Sequence, residues 1–153
     1  MNEERLVRLA HFLIDDVPEY NFNLGTWRAG RFHEDEDLLN HKCGTTACAC
    51  GWACVIPEFQ EQGLRAVTGM PWFNGQGGWN AVEKFFELTY VESLTLFAGD
   101  CYHLNPTPID VADRILLFIN DPRTVLEDGK EWERENRMAA GWHGEEDENS
   151  EDS

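Results

Sequence analysis

The stretch from His41 to Pro57, HKCGTTACACGWACVIP, holds four of the chain's five cysteines, a Gly-Thr-Thr opening and a tryptophan. Thr45 is a good N-cap, and the spacing predicts a helix that opens at Thr46 and reaches about Ile56, where Pro57 stops it. On that helix Cys48 falls in the first turn, where the macrodipole and free backbone amides lower a thiol pKa. Cys50 and Cys54 are four apart and share a face, while Cys43 sits in the loop just before. Gly51 inside a helix costs roughly 1 kcal/mol relative to alanine, so close packing or backbone approach should compensate it.

Three chemistries fit these residues. The first is structural: Ala47, Ala49, Cys50, Gly51, Ala53 and Cys54 let the helix approach a neighbour closely, with Trp52 as the packing anchor. Cys43, Gly44, Thr45, Cys48, Gly51 and Trp52 then form a structural motif. The second is a zinc site built from Cys43, Cys48 and Cys50 with His41, or with Cys101 and His103 brought in from afar. Its spacings, Cys-x4-Cys, Cys-x-Cys and Cys-x3-Cys, depart from the usual paired signature, and Cys101-x-His103 would supply the second half. The third is nucleophilic catalysis by Cys48 or Cys43 with His41 or His103 as base, although no third, orienting residue can be placed. The structural reading ranks first.

Composition narrows the class. At 153 residues the chain has the length of one domain, able to bury roughly 70% of its unfolded surface. Hydrophobic residues at 42% and aromatics at 12% mark a globular chain rather than a disordered one. The formal charge is −17, and the polyacidic stretch Gly144 to Ser153 carries six acids and no base, leaving −11 on residues 1–143. We therefore expect one helical domain over 1–143 and a disordered acidic tail over 144–153. An acidic body disfavours nucleic-acid phosphates and anionic membranes, both of which need Lys or Arg to replace counterions. Three roles remain: charge for solubility, binding to a cationic surface, or mimicry of nucleic acid toward basic grooves. The chain has no run of about 18 apolar residues, and MNEERLVRLAHFLIDD is amphipathic rather than a signal peptide, so a cytoplasmic location is expected. Five cysteines in a chain of this size point to thiols or metal ligands, and a Cys43 to Cys48 disulfide would need an oxidising setting.

Outward from the motif, helical signals dominate. Asn2 caps a first helix whose Leu6, Leu9, Ala10, Leu13 and Val17 make one stripe, closed by Pro18. Residues 20–40 read as a loop pinned by Phe22, Leu24, Trp27 and Phe32, with a solvated acidic run His33 to Asp37. Pro57 to Gly63 reads as a short helical turn, and Leu64 to Thr68 with Pro71 to Phe73 as a small hairpin around Gly69. Asn74 to Gly78 reads as a flexible loop. Trp79, Val82, Phe85 and Phe86 mark a helix, and Thr89 with Glu92 a capping box for the next, with Val91, Leu94, Phe97 and Ala98 inward. The corner is of helix-turn-helix type, but Tyr90 to Ala98 carries one Glu and no base, so DNA reading is not expected. Thr107 caps and Pro108 opens a helix with an inward face of Ile109, Ala112, Ile115, Leu116 and Ile119, and Thr124 to Ala140 is a last helix lying on the surface or against a partner.

The segment Cys43-Gly44-Thr45-Thr46-Ala47-Cys48, followed by Gly51-Trp52-Ala53, resembles the C-G-T-x-A-C-x-x-G-W-A motif of small uncharacterised proteins from tailed phages and some bacteria. The similarity extends through Pro57-Glu58-Phe59, Phe85 to Thr89, Leu96-Phe97 and Val111 to Ile115, covering most of residues 20–120. Cys43 and Cys48 match that motif and Cys50 and Cys54 do not, so the resemblance favours a two-cysteine structural or redox role over a four-cysteine cage. The resemblance implies a phage-borne accessory protein and supplies no activity. The expectation is a mainly α, single-domain fold of five to six helices with at most one small β-hairpin. Its expected role is non-catalytic interaction with a host or phage protein with a basic surface, without direct nucleic-acid or membrane binding.

Overall fold

Asn2 opens the first helix by accepting the Arg5 amide at 3.1 Å, and the chain then runs through eight α-helices among the described residues. The computed structural model describes residues 1–29, 35–41, 44–102 and 105–140. Its helices are α1 (Glu3–Asp16), α2 (Asp35–Leu39), α3 (Ala49–Ala53), α4 (Pro57–Glu61), α5 (Trp79–Phe86), α6 (Tyr90–Phe97), α7 (Pro108–Asn120) and α8 (Pro122–Ala139). Five short strands, β1 (Arg28–Ala29), β2 (Thr46–Ala47), β3 (Arg65–Val67), β4 (Met70–Phe73) and β5 (Gln76–Gly77), form the antiparallel sheets β1-β2 and β3-β4-β5. The mainly α class is the one expected. Helix α2, strand β5 and the two-stranded sheet add to the anticipated elements, and the motif helix is shortened to five residues. No helix among the described residues is long and apolar enough to cross a membrane.

Local chemistry sets most boundaries. At α6, Thr89 Oγ1 accepts the Glu92 amide at 3.1 Å and the Glu92 carboxylate accepts the Thr89 amide at 2.9 Å, so both orphan donors are satisfied. Thr107 and Asp110 repeat the arrangement at α7, where Pro108 occupies the first turn without losing a needed donor. Asp121 caps α8 by accepting the Thr124 amide. In the three-stranded sheet, Thr68-Gly69 and Asn74-Gly75 all have positive φ, as two-residue type I′ turns require. Asn74 to Gly78 is therefore not a loose loop: Phe73 pairs with Gln76 and Trp72 with Gly77.

Packing is layered on α1, whose buried stripe of Leu6, Leu9, Ala10, Phe12 and Leu13 lies along α7. Helix α7 buries Val111, Ala112, Ile115 and Phe118. A cluster of Phe59, Phe73, Phe85 and Phe86, joined edge to face over centroid distances of 4.8–6.0 Å, and Phe97, tilted at 5.6 Å from Phe86, links α4, β4, α5 and α6. Two inward faces differ from the sequence expectation. Helix α6 buries Ser93, Thr95, Leu96 and Phe97 while Val91 is 53% exposed, because α6 packs against α5, α7 and α8 at once. Ile109 is likewise 53% exposed, the face of α7 being set by α1 rather than by helical periodicity alone.

Candidate functional site

The motif helix starts three residues later than its sequence suggests. Thr46 and Ala47 are a strand, paired with Ala29 and Arg28, and the first helical residue is Ala49. Thr45 is thus not the N-cap: its hydroxyl donates to the Asp37 carbonyl at 3.3 Å. Cys48 takes the capping position, its sulfur accepting the Gly51 amide at 3.4 Å, so it precedes the first turn instead of lying within it. The ladder decides this. Pairing of Thr46 and Ala47 with β1 holds their backbone extended, and the Cys48 amide donates to the Thr26 carbonyl at 3.0 Å.

The loop over residues 21–29 straps this entrance from outside. Asn21 Nδ2 donates to the Thr45 carbonyl at 2.5 Å, the Asn23 amide to the Ala47 carbonyl at 3.1 Å, and Trp52 Nε1 to the Asn21 carbonyl at 3.1 Å. Gly51 is where strap and helix touch: a Cβ there would lie 2.0 Å from the Trp27 carbonyl oxygen. The backbone approach expected to compensate this glycine is therefore present. Ala47, Ala49, Cys50, Trp52, Ala53 and Cys54 are all buried, and Trp52 packs on Phe12 at 6.2 Å, as the structural reading requires. The acidic run is not wholly solvated either: Asp37 is buried, and Asp35 holds the buried Arg28 guanidinium at 2.7 Å.

The thiols differ sharply in character. Burial penalises a thiolate at Cys48, but the Cys50 thiol and the amides of Gly51 and Cys50 point at its sulfur and bring its pKa below the ordinary value. Cys50 is raised well above it, by burial and by the neighbouring Cys48 sulfur. Burial also lifts Cys54 to about 12 and Cys101 to about 11. Cys48 lines a hollow of about 310 Å³ together with Thr26, Trp27, Trp79 and Phe97, the two tryptophan rings meeting edge on at 5.0 Å. Trp27 and Trp79 are 52 positions apart, and no local pattern ties them to Cys48.

The remaining candidates are dispersed or outside the description. His41 is exposed, with its ring 6.2 Å from that of Trp52. Cys101 is buried in the 3₁₀ turn Gly99–Cys101, where its carbonyl accepts from Arg114 at 2.5 Å. Cys43 and His103, Phe32, His33 and Glu34, and the acidic tail lie outside the described residues. Among the described residues, no group of three His, Cys, Asp or Glu side chains is placed to hold a metal ion. No family model, curated protein or solved structure matches this chain.

Proposed function

We propose that this chain is a small acidic accessory protein of phage type that acts in the host cytoplasm by binding a host or phage protein that presents a basic surface. The observation that carries this reading is how the few cations are used. Arg5 reaches the Phe85 carbonyl and Gln62, Arg8 pairs with Glu58, and Arg28 pairs with Asp35. Arg114 binds the Thr95 and Cys101 carbonyls, and Arg137 pairs with Glu133. With these five arginines engaged by carbonyls or carboxylates of the fold, the surplus of 29 acids over 12 bases favours encounter with cationic surfaces. Immobilised protein exposed to host lysate at two ionic strengths tests the reading. A retained protein that free chain displaces, and that salt releases, supports it; no specific protein in repeated trials defeats it.

The hollow beside Cys48 favours a second reading, thiol chemistry centred on Cys48. Support comes from its lowered pKa and from the aromatic walls that would hold an apolar electrophile. An alkylation profile matching that of an ordinary cysteine would remove it. The zinc reading on Cys43, Cys48, Cys101 and His103 is decided by elemental analysis of the purified protein and of Cys48→Ser.

A further inference from the structure

Three hollows adjoin along α8 and the 3₁₀ turn before α7. The largest, about 640 Å³, lies between the Glu19–Asn21 turn and the end of α8, and its walls include Glu19, Phe22, Asp100, Tyr102 and Asn136. A second, about 290 Å³, shares Asp100, Asn136 and Ala140 with it and adds Glu133 and Arg137. A third, about 240 Å³, shares Tyr102 and Pro106 with the first and adds Asp110, Asp113, Asp128 and Trp132. The shared walls make them neighbours on one side of the molecule.

Its charge is one-sided. The hollows carry the carboxylates of Glu19, Asp100, Asp110, Asp113, Asp128 and Glu133 against two arginines. Between them the two arginines offset only one carboxylate, that of Glu133. Arg114 turns inward, donating to the Thr95 and Cys101 carbonyls at 2.9 and 2.5 Å, with its guanidinium 3.7 Å from the Tyr102 ring centroid. Arg137 is taken by Glu133 at 3.2 Å. Asp100, Asp113 and Asp128 are exposed.

We infer that this face is where the partner docks, and that its occupant is a basic protein segment placing Lys or Arg side chains in successive hollows. The inference rests on the interaction reading above. Charge complementarity selects the occupant: a second copy brings the same net charge of −17, and the chain's own last ten residues bring six acids and no base. Apolar walls at Phe22, Leu24 and Pro106 beside carboxylates suit a long cationic side chain, which buries its stem and keeps its charge paired.

The test is an amide NMR titration of the full chain with an acetylated peptide of nine residues alternating arginine and alanine. Two triple variants remove the same charge: D100N/D113N/D128N on this face, and E4Q/E36Q/E61Q on exposed positions that line none of the hollows. Thermal melts verify that both fold. Expected are shifts concentrated at residues 22–25, 99–102 and 132–137, and an affinity about tenfold weaker for the face variant against less than about twofold for the control. Equal weakening by both variants, or shifts spread over α1, α2 and α4, overturns the inference. If a protein retained from lysate binds the face variant undiminished, this face is wrong while the interaction reading stands. If the peptide docks here but lysate yields no partner, the surface stands and that reading falls.

Discussion

Helices α3 and α8 each turn on one glycine, but what those glycines touch differs. Helix α3 is five residues long, all buried, and Gly51 admits the Trp27 backbone carbonyl. Helix α8 is eighteen residues long with Val125 and Gly129 buried, and a Cβ at Gly129 would lie 2.7 Å from Thr95 Cγ2 on α6. A backbone carbonyl inside a strapped loop cannot move aside; a threonine methyl can be deleted. The buried motif should therefore behave as a rigid keystone, and the α8 contact as an adjustable joint beneath a charged surface.

The largest effect should come from Gly51→Ala. With a carbonyl oxygen at 2.0 Å from the new Cβ, the strap must detach, costing about 4 kcal/mol, which urea denaturation would register as a nearly unfolded protein. Next, Gly129→Ala should cost about 1–2 kcal/mol despite the better helix propensity of alanine, and adding Thr95→Ser should recover most of it. A double-mutant cycle that finds the two changes additive would end the contrast between keystone and joint.

Alkaline pH probes a buried thiol on each side of the comparison, Cys54 beside the motif and Cys101 beneath α8. The ordinary thiol value is 9.0, and burial raises Cys54 to about 12 and Cys101 to about 11. The unfolded chain releases these protons first, so their contribution is complete below about pH 9 and is lost as pH rises toward 11–12. Urea midpoints measured under reductant across that window should decline, and Cys54→Ser with Cys101→Ser should flatten the decline. Cys48 has the opposite sign: its lowered pKa contributes stability above its unfolded value that is lost as pH falls through the folded one. Cys48→Ser keeps a capping acceptor and should change stability by less than about 0.5 kcal/mol. The smallest effect belongs to Ile109→Gln, within about 0.5 kcal/mol by thermal melt, because that side chain is half exposed.

Where a signal is local, the sequence carried it. Asn2, Thr89 with Glu92, and Thr107 with Pro108 marked three helix starts, each satisfied within four residues of chain. The hairpin around Gly69 was also legible, whereas the one at Asn74-Gly75 was read as a flexible loop although that dipeptide favours positive φ at both positions. Thr45 misled because a threonine can cap a helix or bond elsewhere, and the choice fell to the Asp37 carbonyl and the β1 strand. Ile109 misled because periodicity gives a helix a face without saying which neighbour meets it.

The sequence by itself determined that this is an acidic, mainly helical protein, that Gly51 needed a close neighbour, and that Cys50 and Cys54 differ from Cys48. Tertiary structure alone decided that Cys48 caps the motif helix, that the neighbour of Gly51 is the Trp27 carbonyl, and that Arg5, Arg28 and Arg114 are committed within the fold. The reason is physical. Caps and turns are satisfied by residues close in the chain, whereas a strand two residues long and a carbonyl 24 positions away acquire their meaning only when the chain has closed upon itself.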